Sequence, residues 1–385
     1  MMTDIYDIAI IGAGPGGCAC ALALQGSGLR VVMVDKDAFP RDKICGDAIP
    51  SPTFKAMDKI KLEWGQAMRQ FSDKVDIRTA KAFAPNGKTV SLNWSLYAYN
   101  SKRINFDNFL AQLVKTETQT TLIENKRLQT IAVSNDGVSC QFQDGSTINA
   151  ALIIGCDGAN SVVTRQLGSF DLRDVQSCAA VRAYYRDVEG LKSGVNEFHF
   201  FKELLPGYFW IFPLENGWAN VGFGILTTTS GKNKKQIKLR DTLDLITTTF
   251  PNIAPRFKNA ELMDATKGFA LPLGTKQLPI SGVRFMLVGD AASLIDPLQG
   301  HGIDNAMWSG LFAAKQAIDC FKKDNFSADF MRQYDVAVYK KLGGELAKSA
   351  FIMRFFSRFP MLINTLAWLG GNQKLTQWVA RTFKI

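Results

Sequence analysis

Two side chains that could transfer protons stand beside glycines in this sequence. Cys45 lies in the segment RDKICGD at residues 41–47, and His301 lies between Gly300 and Gly302. A thiol near a reacting centre can donate a proton or shape a pocket, and an imidazole, with its ordinary pKa of about 6.5, can donate a proton near neutral pH. The alternatives are a buried structural thiol and an imidazole that points away from the site. The residue types alone leave both alternatives open.

A glycine-rich turn close to the first residue predicts a dinucleotide site. The apolar run at residues 6–11 is typical of a buried parallel strand, and the small side chains of residues 18–24 are typical of a closely packed helix. In the turn between them, Gly12 allows the tight bend, Gly14 lets the backbone approach a pyrophosphate, and Gly17 lets the helix pack close to the strand. The candidate cofactor-binding residues of this turn are Gly12, Gly14, Pro15, Gly16 and Gly17.

A second apolar run, at residues 30–34, ends at Asp35 and Lys36. A carboxylate at the end of this strand is placed to accept hydrogen bonds from an adenosine ribose. Asp35 and its neighbour Lys36 are therefore further cofactor-binding candidates. Glycines alone could occur by chance, but a strand, a turn, a helix and an acid in register favour a dinucleotide site. This fingerprint does not distinguish NAD from FAD.

Two further segments repeat the pattern of a buried strand that breaks into a glycine turn. The first, ALIIGCDGANS at residues 151–161, contains Asp157 and is followed by Arg165. The second, RFMLVGDAA at residues 284–292, contains Gly289 and Asp290 and leads through residues 300–302 into a long apolar helix. With these segments the sequence resembles the flavoprotein monooxygenase and geranylgeranyl reductase superfamily, whose Asp-Gly and Gly-Asp motifs they match.

The resemblance implies FAD as the cofactor and assigns roles to several residues. Asp157 and Gly289 would belong to the FAD site, and Asp290 would bond the ribityl chain. The Gly300–His301–Gly302 turn would aim backbone N–H groups at the flavin edge that becomes negative on reduction. Cys45 and Gly46 match a Lys-x-Cys-Gly segment that in the reductases lies by the isoalloxazine. Arg103 matches an arginine that precedes a helix and touches FAD phosphate or ribityl oxygens, although as a single charge it could equally be solvated.

An aromatic cluster narrows the resemblance to the geranylgeranyl reductases. The segment PGYFWIFP at residues 206–213, followed by Val-Gly at 221–222, is similar to their Tyr-x-Trp-x-Phe-Pro pattern. On a strand, Tyr208, Trp210 and Phe212 share one face, while Phe209 and Ile211 share the other. The first face could line an apolar substrate tunnel, which makes these three residues the substrate-binding candidates. Ordinary core packing is the alternative, because aromatic side chains fill half-buried strands in any case.

The predicted fold is α/β: a Rossmann-type FAD-binding domain interleaved with an antiparallel β-sheet substrate domain, and a helical C-terminal end. We assign residues 1–75, 101–170 and 276–330 to the FAD-binding domain and residues 76–100 and 171–275 to the substrate domain. Asn86-Gly87 and Glu215-Asn216-Gly217 predict hairpin turns within the latter. Residues 331–385 form the C-terminal helical segment. The helix after Arg103 should bury a stripe of Phe106, Phe109, Leu110 and Leu113.

Composition and charge limit the possible compartments and binding partners of the protein. The seven cysteines include no pair at zinc-ligand spacing, so we expect a reducing compartment and no structural metal. The first residues do not form a signal peptide, which predicts a cytoplasmic protein. A formal net charge of +10 could serve nucleic acid, a membrane surface or an acidic cofactor. Basic residues lie in the loop at 232–235 and alternate with aromatic residues at the C-terminal end: Lys348, Phe351, Arg354, Phe355, Phe356, Arg358, Phe359, Trp368, Lys374, Trp378, Arg381 and Lys384.

The C-terminal pattern suits peripheral contact with the inner face of an anionic membrane, and it equally suits a core helix with a charged outer face. Its helical stretches should break at Pro360 and at Gly370-Gly371. No window has the ~18 uninterrupted apolar residues that a spanning helix needs. We expect no nucleic-acid partner.

The sequence therefore predicts an FAD-dependent oxidoreductase that reduces carbon–carbon double bonds of an isoprenoid or other lipid-like substrate by hydride transfer from reduced flavin. Cys45, His301 or water would supply the proton. One alternative is a flavin-dependent monooxygenase or halogenase, although Tyr208 and Phe212 depart from the Trp-x-Trp-x-Ile-Pro pattern of halogenases. Another is an electron-transfer or lipid-binding flavoprotein without turnover. The electron donor, ferredoxin or NAD(P)H, cannot be read from a single dinucleotide fingerprint.

Overall fold

The apolar run near the first residue forms the central strand of a parallel sheet. The computed structural model describes residues 5–227 and 238–359 together with 361, 362 and 364. In it, strand β1 pairs in parallel with β2 on one side and β9 on the other, β6 extends the sheet beyond β2, and β17 extends it beyond β9. Ile8, Ala9 and Ile10 are fully buried, as expected for a strand covered on both faces. The strands of this sheet are β1 (Ile5–Ile11), β2 (Val31–Val34), β6 (Thr121–Ile123), β7 (Leu128–Val133), β8 (Val138–Phe142), β9 (Thr147–Gly155), β16 (Ser281–Gly282) and β17 (Phe285–Leu287).

Helices cover the parallel sheet, and two of them touch backbone to backbone. A Cβ atom on Gly310 would lie 2.2 Å from the carbonyl oxygen of Gly16, so α1 and α8 can approach this closely only with glycine at that position. In α4, Phe106 and Leu110 are buried, whereas Phe109 and Leu113 of the predicted stripe are half-buried. The helices are α1 (Pro15–Ala23), α2 (Ser51–Ile60), α3 (Leu62–Gln70), α4 (Arg103–Glu117), α5 (Val162–Leu167), α6 (Leu239–Thr249), α7 (Ala254–Phe257), α8 (Ile303–Lys323) and α9 (Ala328–Arg358).

A second sheet is formed mainly by the strand-like sequence between the glycine motifs. Both predicted hairpins are present: Asn86-Gly87 connects β4 to β5, and residues 215–217 connect β12 to β13. One pair, β4 with β11, is parallel, because the chain passes through the first sheet between these two strands. The sheet order is β14-β10-β13-β12-β11-β4-β5-β3, with β15 on β10. Its strands are β3 (Ala48–Ile49), β4 (Val75–Phe83), β5 (Thr89–Asn100), β10 (Ser177–Arg186), β11 (Val195–His199), β12 (Tyr208–Pro213), β13 (Trp218–Thr227), β14 (Glu261–Leu262) and β15 (Lys267–Pro272).

The two faces of β12 belong to different apolar clusters, as the alternation predicts. Phe209 and Ile211 pack with residues of α6 and α7 in one cluster. Trp210 and Phe212 pack with Ala180 in another, on the face that meets residues 45–47. The mixed α/β architecture with two sheets and a helical C-terminal region is thus confirmed.

The C-terminal region described by the structure is one long helix. α9 begins after Ser327, whose hydroxyl caps the helix by accepting from the N–H of Phe330, and it runs through Gly343-Gly344 to Arg358. No helix among the described residues is long and apolar enough to cross a membrane. The predictions for residues 232–235, Pro360, Trp368, Gly370-Gly371, Lys374, Trp378, Arg381 and Lys384 lie outside the described residues.

Candidate functional site

The glycine turn after β1 is shaped to admit a phosphate at one glycine and to pack tightly at two others. A Cβ on Gly12 would lie 2.3 Å from the carbonyl oxygen of Cys156, and one on Gly17 would lie 1.9 Å from that of Gly12. A Cβ on Gly14 would meet only the Arg41 side chain, at 3.9 Å. The open side of the turn is therefore at Gly14, the glycine at which the sequence predicts the approach of a pyrophosphate. Pro15 and Gly16 form the buried first turn of α1.

Four charged side chains lie beside this turn: Asp35, Arg103 and Asp107 are buried, and Arg41 is partly buried. Asp35 accepts a hydrogen bond from the N–H of Ala13 at 2.8 Å, and its Oδ2 lies 3.5 Å from a guanidinium nitrogen of Arg41. Arg41 also donates to Asp107 at 2.9 Å, and Arg103 donates to both oxygens of the same Asp107 carboxylate at 2.6 and 2.8 Å. Arg41 is the basic group closest to Gly14, and we had not assigned it from the sequence, although it lies in the segment that contains Cys45.

Two predicted cofactor-binding residues, Arg103 and Lys36, lie in very different surroundings. Burial disfavours the charge of Arg103, but Asp107, with a further contribution from Cys45, outweighs this and raises the pKa of the guanidinium. Arg103 is thus fully charged and held against Asp107. Lys36 extends its side chain outward, with about half of it exposed, and lies 4.0 Å from Asp37.

The Asp-Gly and Gly-Asp motifs converge on Lys43. Its Nζ lies 3.2 Å from Oδ2 of Asp290, and it would be 3.9 Å from a Cβ atom on Gly158. The Asp157 carboxylate accepts hydrogen bonds from the N–H groups of Val162 and Val163, at 2.6 and 3.2 Å. Asp157 therefore holds the start of α5, next to Gly158, while Asp290 remains partly exposed toward Lys43. Lys43 is a second basic residue that we had not assigned from the sequence.

The turn before α8 is held by Asp296 and touched by Tyr208. The N–H of Asp296 donates to the carbonyl of His301 at 2.9 Å, and its carboxylate accepts from the N–H groups of Leu298 and Gln299. The hydroxyl of Tyr208 donates to the carbonyl of Gln299 at 3.3 Å. Gly300 has φ 72°, a left-handed conformation that favours glycine. The aromatic strand β12 and the Gly300–Gly302 turn are thus direct neighbours.

The carboxylate of Asp304, in the first turn of α8, stabilises the protonated form of His301. Nδ1 of His301 lies 2.7 Å from Oδ1 of Asp304. Burial alone would lower the pKa of His301, but the Asp304 carboxylate, with smaller contributions from Asp296 and Glu345, raises it to about 9. The imidazole is therefore protonated at neutral pH. We had not assigned Asp304 from the sequence, although it lies only three residues after His301.

The Cys45–Gly46 segment packs against the aromatic face. A Cβ on Gly46 would lie 3.5 Å from the ring of Phe212 and 3.9 Å from the indole nitrogen of Trp210. Cys45 is half-buried, and its carbonyl accepts a hydrogen bond from Asn220 at 2.7 Å. Across the strand, a Cβ on Gly222 would lie 2.1 Å from the indole of Trp210, so the ring lies flat over β13. The predicted substrate face and the predicted flavin-side segment are in contact.

The amino-acid sequence matches one family model and several named reductases over most of its length. The family model described as FAD binding domain matches residues 5–311. A digeranylgeranylglycerophospholipid reductase of Methanoculleus marisnigri is 28% identical over 95% of this chain and 90% of its own length. A menaquinone reductase of Mycobacterium tuberculosis is 30% identical over 81% of this chain and 76% of its own.

Solved structures share the fold. A geranylgeranyl bacteriochlorophyll reductase-like protein from Thermoplasma acidophilum superposes with a TM-score of 0.77 at 22% identity, over 91% of this chain and 87% of its own. A flavin-dependent brominase superposes with a TM-score of 0.78 at 20% identity, over 99% and 93%. The open Gly14, the Asp35 carboxylate and the two arginines, Arg41 and Arg103, fit FAD. The chain belongs to the FAD-binding-domain family and is an FAD-dependent oxidoreductase related to the geranylgeranyl reductases.

Proposed function

We propose that the protein reduces carbon–carbon double bonds of an isoprenoid or other lipid-like substrate. The observation that carries this proposal is the position of the β12 aromatic face. Trp210 and Phe212 pack on Gly46, and Tyr208 bonds to the Gly300 turn, so an apolar wall stands between the two segments that the family resemblance places at the flavin. An apolar wall at that position favours a long hydrocarbon over a polar substrate.

The relatives support a lipid-like substrate. Among proteins whose whole length resembles this chain, one is named for reduction of a digeranylgeranylglycerophospholipid and another for reduction of menaquinone. The brominase shares the fold at 20% identity, which carries no argument about activity. The reductase names and the apolar wall point in the same direction.

The residues of the chain bind the cofactor, orient the substrate and supply a proton. FAD, when bound, supplies hydride-transfer chemistry. The aromatic face orients the double bond and excludes water, which limits side reactions of the reduced cofactor. His301 and Cys45 lie at the two flavin-side segments, and either side chain can be the donor that protonates the second carbon of the double bond. Lys43 and Arg41 hold cationic charge beside Asp290 and Gly14, where an anionic cofactor needs it.

We also propose that α9 contacts a lipid surface. Phe351 and Phe355 are exposed four residues apart, which places them on one side of α9, and the exposed Phe359 directly follows the helix. No acidic residue occurs between Lys348 and Phe359, whereas Arg354 and Arg358 lie within that stretch. An aromatic stripe with basic neighbours is the pattern of an interfacial helix on an anionic membrane.

Anaerobic reoxidation tests the reductase proposal. The holoenzyme is reduced with dithionite, freed of excess reductant and mixed with a geranylgeranyl lipid in detergent, while the visible flavin spectrum is recorded. We expect reoxidation with formation of a lipid that has gained two hydrogens, measured by mass spectrometry. Reoxidation only with O₂, together with a hydroxylated or halogenated product, would assign the protein to the monooxygenases or halogenases. Reoxidation only by an added protein partner would make it a carrier.

A further inference from the structure

A buried carboxylate outside the apolar wall is connected to that wall through a single amide. Asp47 is fully buried, and its Oδ2 accepts a hydrogen bond from Nδ2 of Asn220 at 2.8 Å. Oδ1 of Asn220 accepts in turn from the indole N–H of Trp210 at 2.9 Å. We propose that Asp47 is a positioning residue, which in its ionised form holds Asn220 and thereby fixes the Trp210 indole and the Cys45 peptide in place. The proposal rests on the proposed function only in giving Trp210 a substrate to face.

The hydrogen bonds that connect Trp210, Asn220 and Asp47 can form with only one orientation of the Asn220 amide. An indole N–H can only donate, so the oxygen of the Asn220 amide must face Trp210. Its NH₂ group then points at two acceptors, Oδ2 of Asp47 and the carbonyl oxygen of Cys45, at 2.8 and 2.7 Å. All polar atoms of the Asn220 side chain are used, and the amide has no second orientation that satisfies Trp210. One side chain therefore ties the aromatic strand to the cysteine segment.

The Asp47 carboxylate is surrounded by donors. Oδ2 also accepts a hydrogen bond from the hydroxyl of Tyr184 at 2.8 Å. Oδ1 accepts one from the backbone N–H of Arg103, at the start of α4, at 3.3 Å. Asp47 has φ 63°, a conformation that aspartate and asparagine tolerate better than most residues. It is thus held by α4, β10 and β13 at once.

Burial and the surrounding charged and polar groups together determine the pKa of Asp47. Burial raises its pKa to about 6, against the opposing effects of the hydrogen bonds from Asn220 and Tyr184 and the charges of Arg182 and Arg103. The ammonium group of Lys102, at the start of α4, also faces this group, and its own pKa is lowered by burial. Arg182 is itself paired with Asp42 and Asp264. The carboxylate is ionised at neutral pH and protonated in mildly acidic solution.

Protonation removes an acceptor from a group that faces donors on both oxygens. The protonated carboxyl must donate, and of its three partners only the Tyr184 hydroxyl can accept. The hydrogen bond from Asn220 then weakens, and the amide is no longer fixed against Trp210. A buried asparagine on the same sheet offers a contrast: Asn196 bonds to Asn100 at 2.7 Å and joins neither Trp210 nor Cys45.

The indole N–H of Trp210 reports directly on this connection. The holoenzyme is labelled with ¹⁵N at the indole nitrogens, and its seven tryptophans are followed by NMR between about pH 5 and 8. Trp210→Phe identifies the Trp210 resonance. We expect that resonance to move in one transition near pH 6 and to be independent of pH in Asp47→Asn. Asp42→Asn, the same change in a carboxylate of the same segment that does not contact Asn220, should retain the transition.

A second variant keeps the test decisive if Asp47→Asn fails to fold. Tyr184→Phe removes a hydrogen bond that favours the ionised carboxyl, so the transition should move to higher pH. A Trp210 resonance that does not titrate in the wild-type protein, or that titrates unchanged in Asp47→Asn or Tyr184→Phe, overturns the proposal. Because no turnover is measured, these results do not depend on whether the protein is a reductase. Flavin absorbance in each sample checks that FAD remains bound.

Discussion

Nδ1 of His301 lies 2.7 Å from the carboxylate of Asp304, while the chain's other histidine, His199, is buried on β11. Burial lowers the pKa of His199, although Glu197, 3.0 Å away, opposes the shift. Asp304 instead raises the pKa of His301 to about 9. The pKa values of the two imidazoles are therefore shifted in opposite directions: burial, together with Arg256 and Lys81, outweighs Glu197 at His199, whereas the acidic neighbours outweigh burial at His301.

We predict two well-separated histidine titrations in the ¹H NMR spectrum, one below the ordinary value and one near 9. Asp304→Asn should return the higher value toward the ordinary one. Since His301 has a raised pKa when folded, its contribution to stability is complete below about pH 6.5 and is lost as the pH rises through 9. Thermal unfolding should show that Asp304→Asn costs on the order of 1–3 kcal/mol at pH 6 and much less at about pH 9.5. Equal costs at both pH values would contradict the ion pair.

Gly14→Val should abolish FAD binding and leave a folded protein. The side chain would enter the space open to the pyrophosphate, where only Arg41 lies nearby. Gly17→Ala is the contrasting variant, since its Cβ would lie 1.9 Å from the carbonyl oxygen of Gly12 and must disrupt the packing of α1. Visible absorbance gives FAD per chain, and circular dichroism gives the folded fraction. Full FAD content in a folded Gly14→Val protein would remove this turn from the cofactor site.

Trp210→Ala should impair the use of a long apolar substrate more than it impairs FAD binding. The matched control is Phe209→Ala, because Phe209 is the next residue on β12 and is buried on the opposite face. Each truncation costs ~3–5 kcal/mol of stability in a packed core. Melting curves measured beside the kinetics separate the two effects: KM for the lipid should rise about tenfold or more for Trp210→Ala alone. Similar kinetics for both variants would indicate that the aromatic face contributes only to core packing.

Vesicle co-sedimentation tests the lipid contact of α9. The wild-type protein should bind anionic vesicles at low salt and release at high salt, because each basic group near the surface contributes on the order of 1 kcal/mol that salt screens. Phe351→Ser together with Phe355→Ser should lose binding and keep FAD. Val336→Ser, at an exposed apolar position elsewhere on α9, is the control and should bind as the wild type does. Negligible binding of the wild-type protein to anionic and neutral vesicles alike would eliminate the membrane contact.

Features set by local pattern were predictable from the sequence, and those set by tertiary register were not. The strand, turn and helix around Gly14 follow from a short run of residues, and the two faces of β12 follow from a period of two. The hydrogen bonds of Asn220 depend on how β13 meets a segment 173 positions earlier, which no local pattern encodes. The same holds for the pairs Arg41–Asp107 and Lys43–Asp290. Asp304 is the intermediate case: it lies only three residues after His301, but the turn before α8 that brings the two side chains together was not predicted.

The ion pair between Lys43 and Asp290 joins positions 247 residues apart, and β1 is flanked by a strand that begins at Thr147. Contacts of such long range must wait for synthesis, which proceeds at ~5–20 residues per second. On the ribosome, β1 and its glycine turn therefore stand without β9, β17 and α8 for a time on the order of ten seconds to a minute. Asp290 and the start of α8 are the last of the predicted cofactor-binding segments to emerge. We therefore expect FAD to bind late in synthesis, and until then the nascent chain carries the apolar strand β1 without β9 beside it.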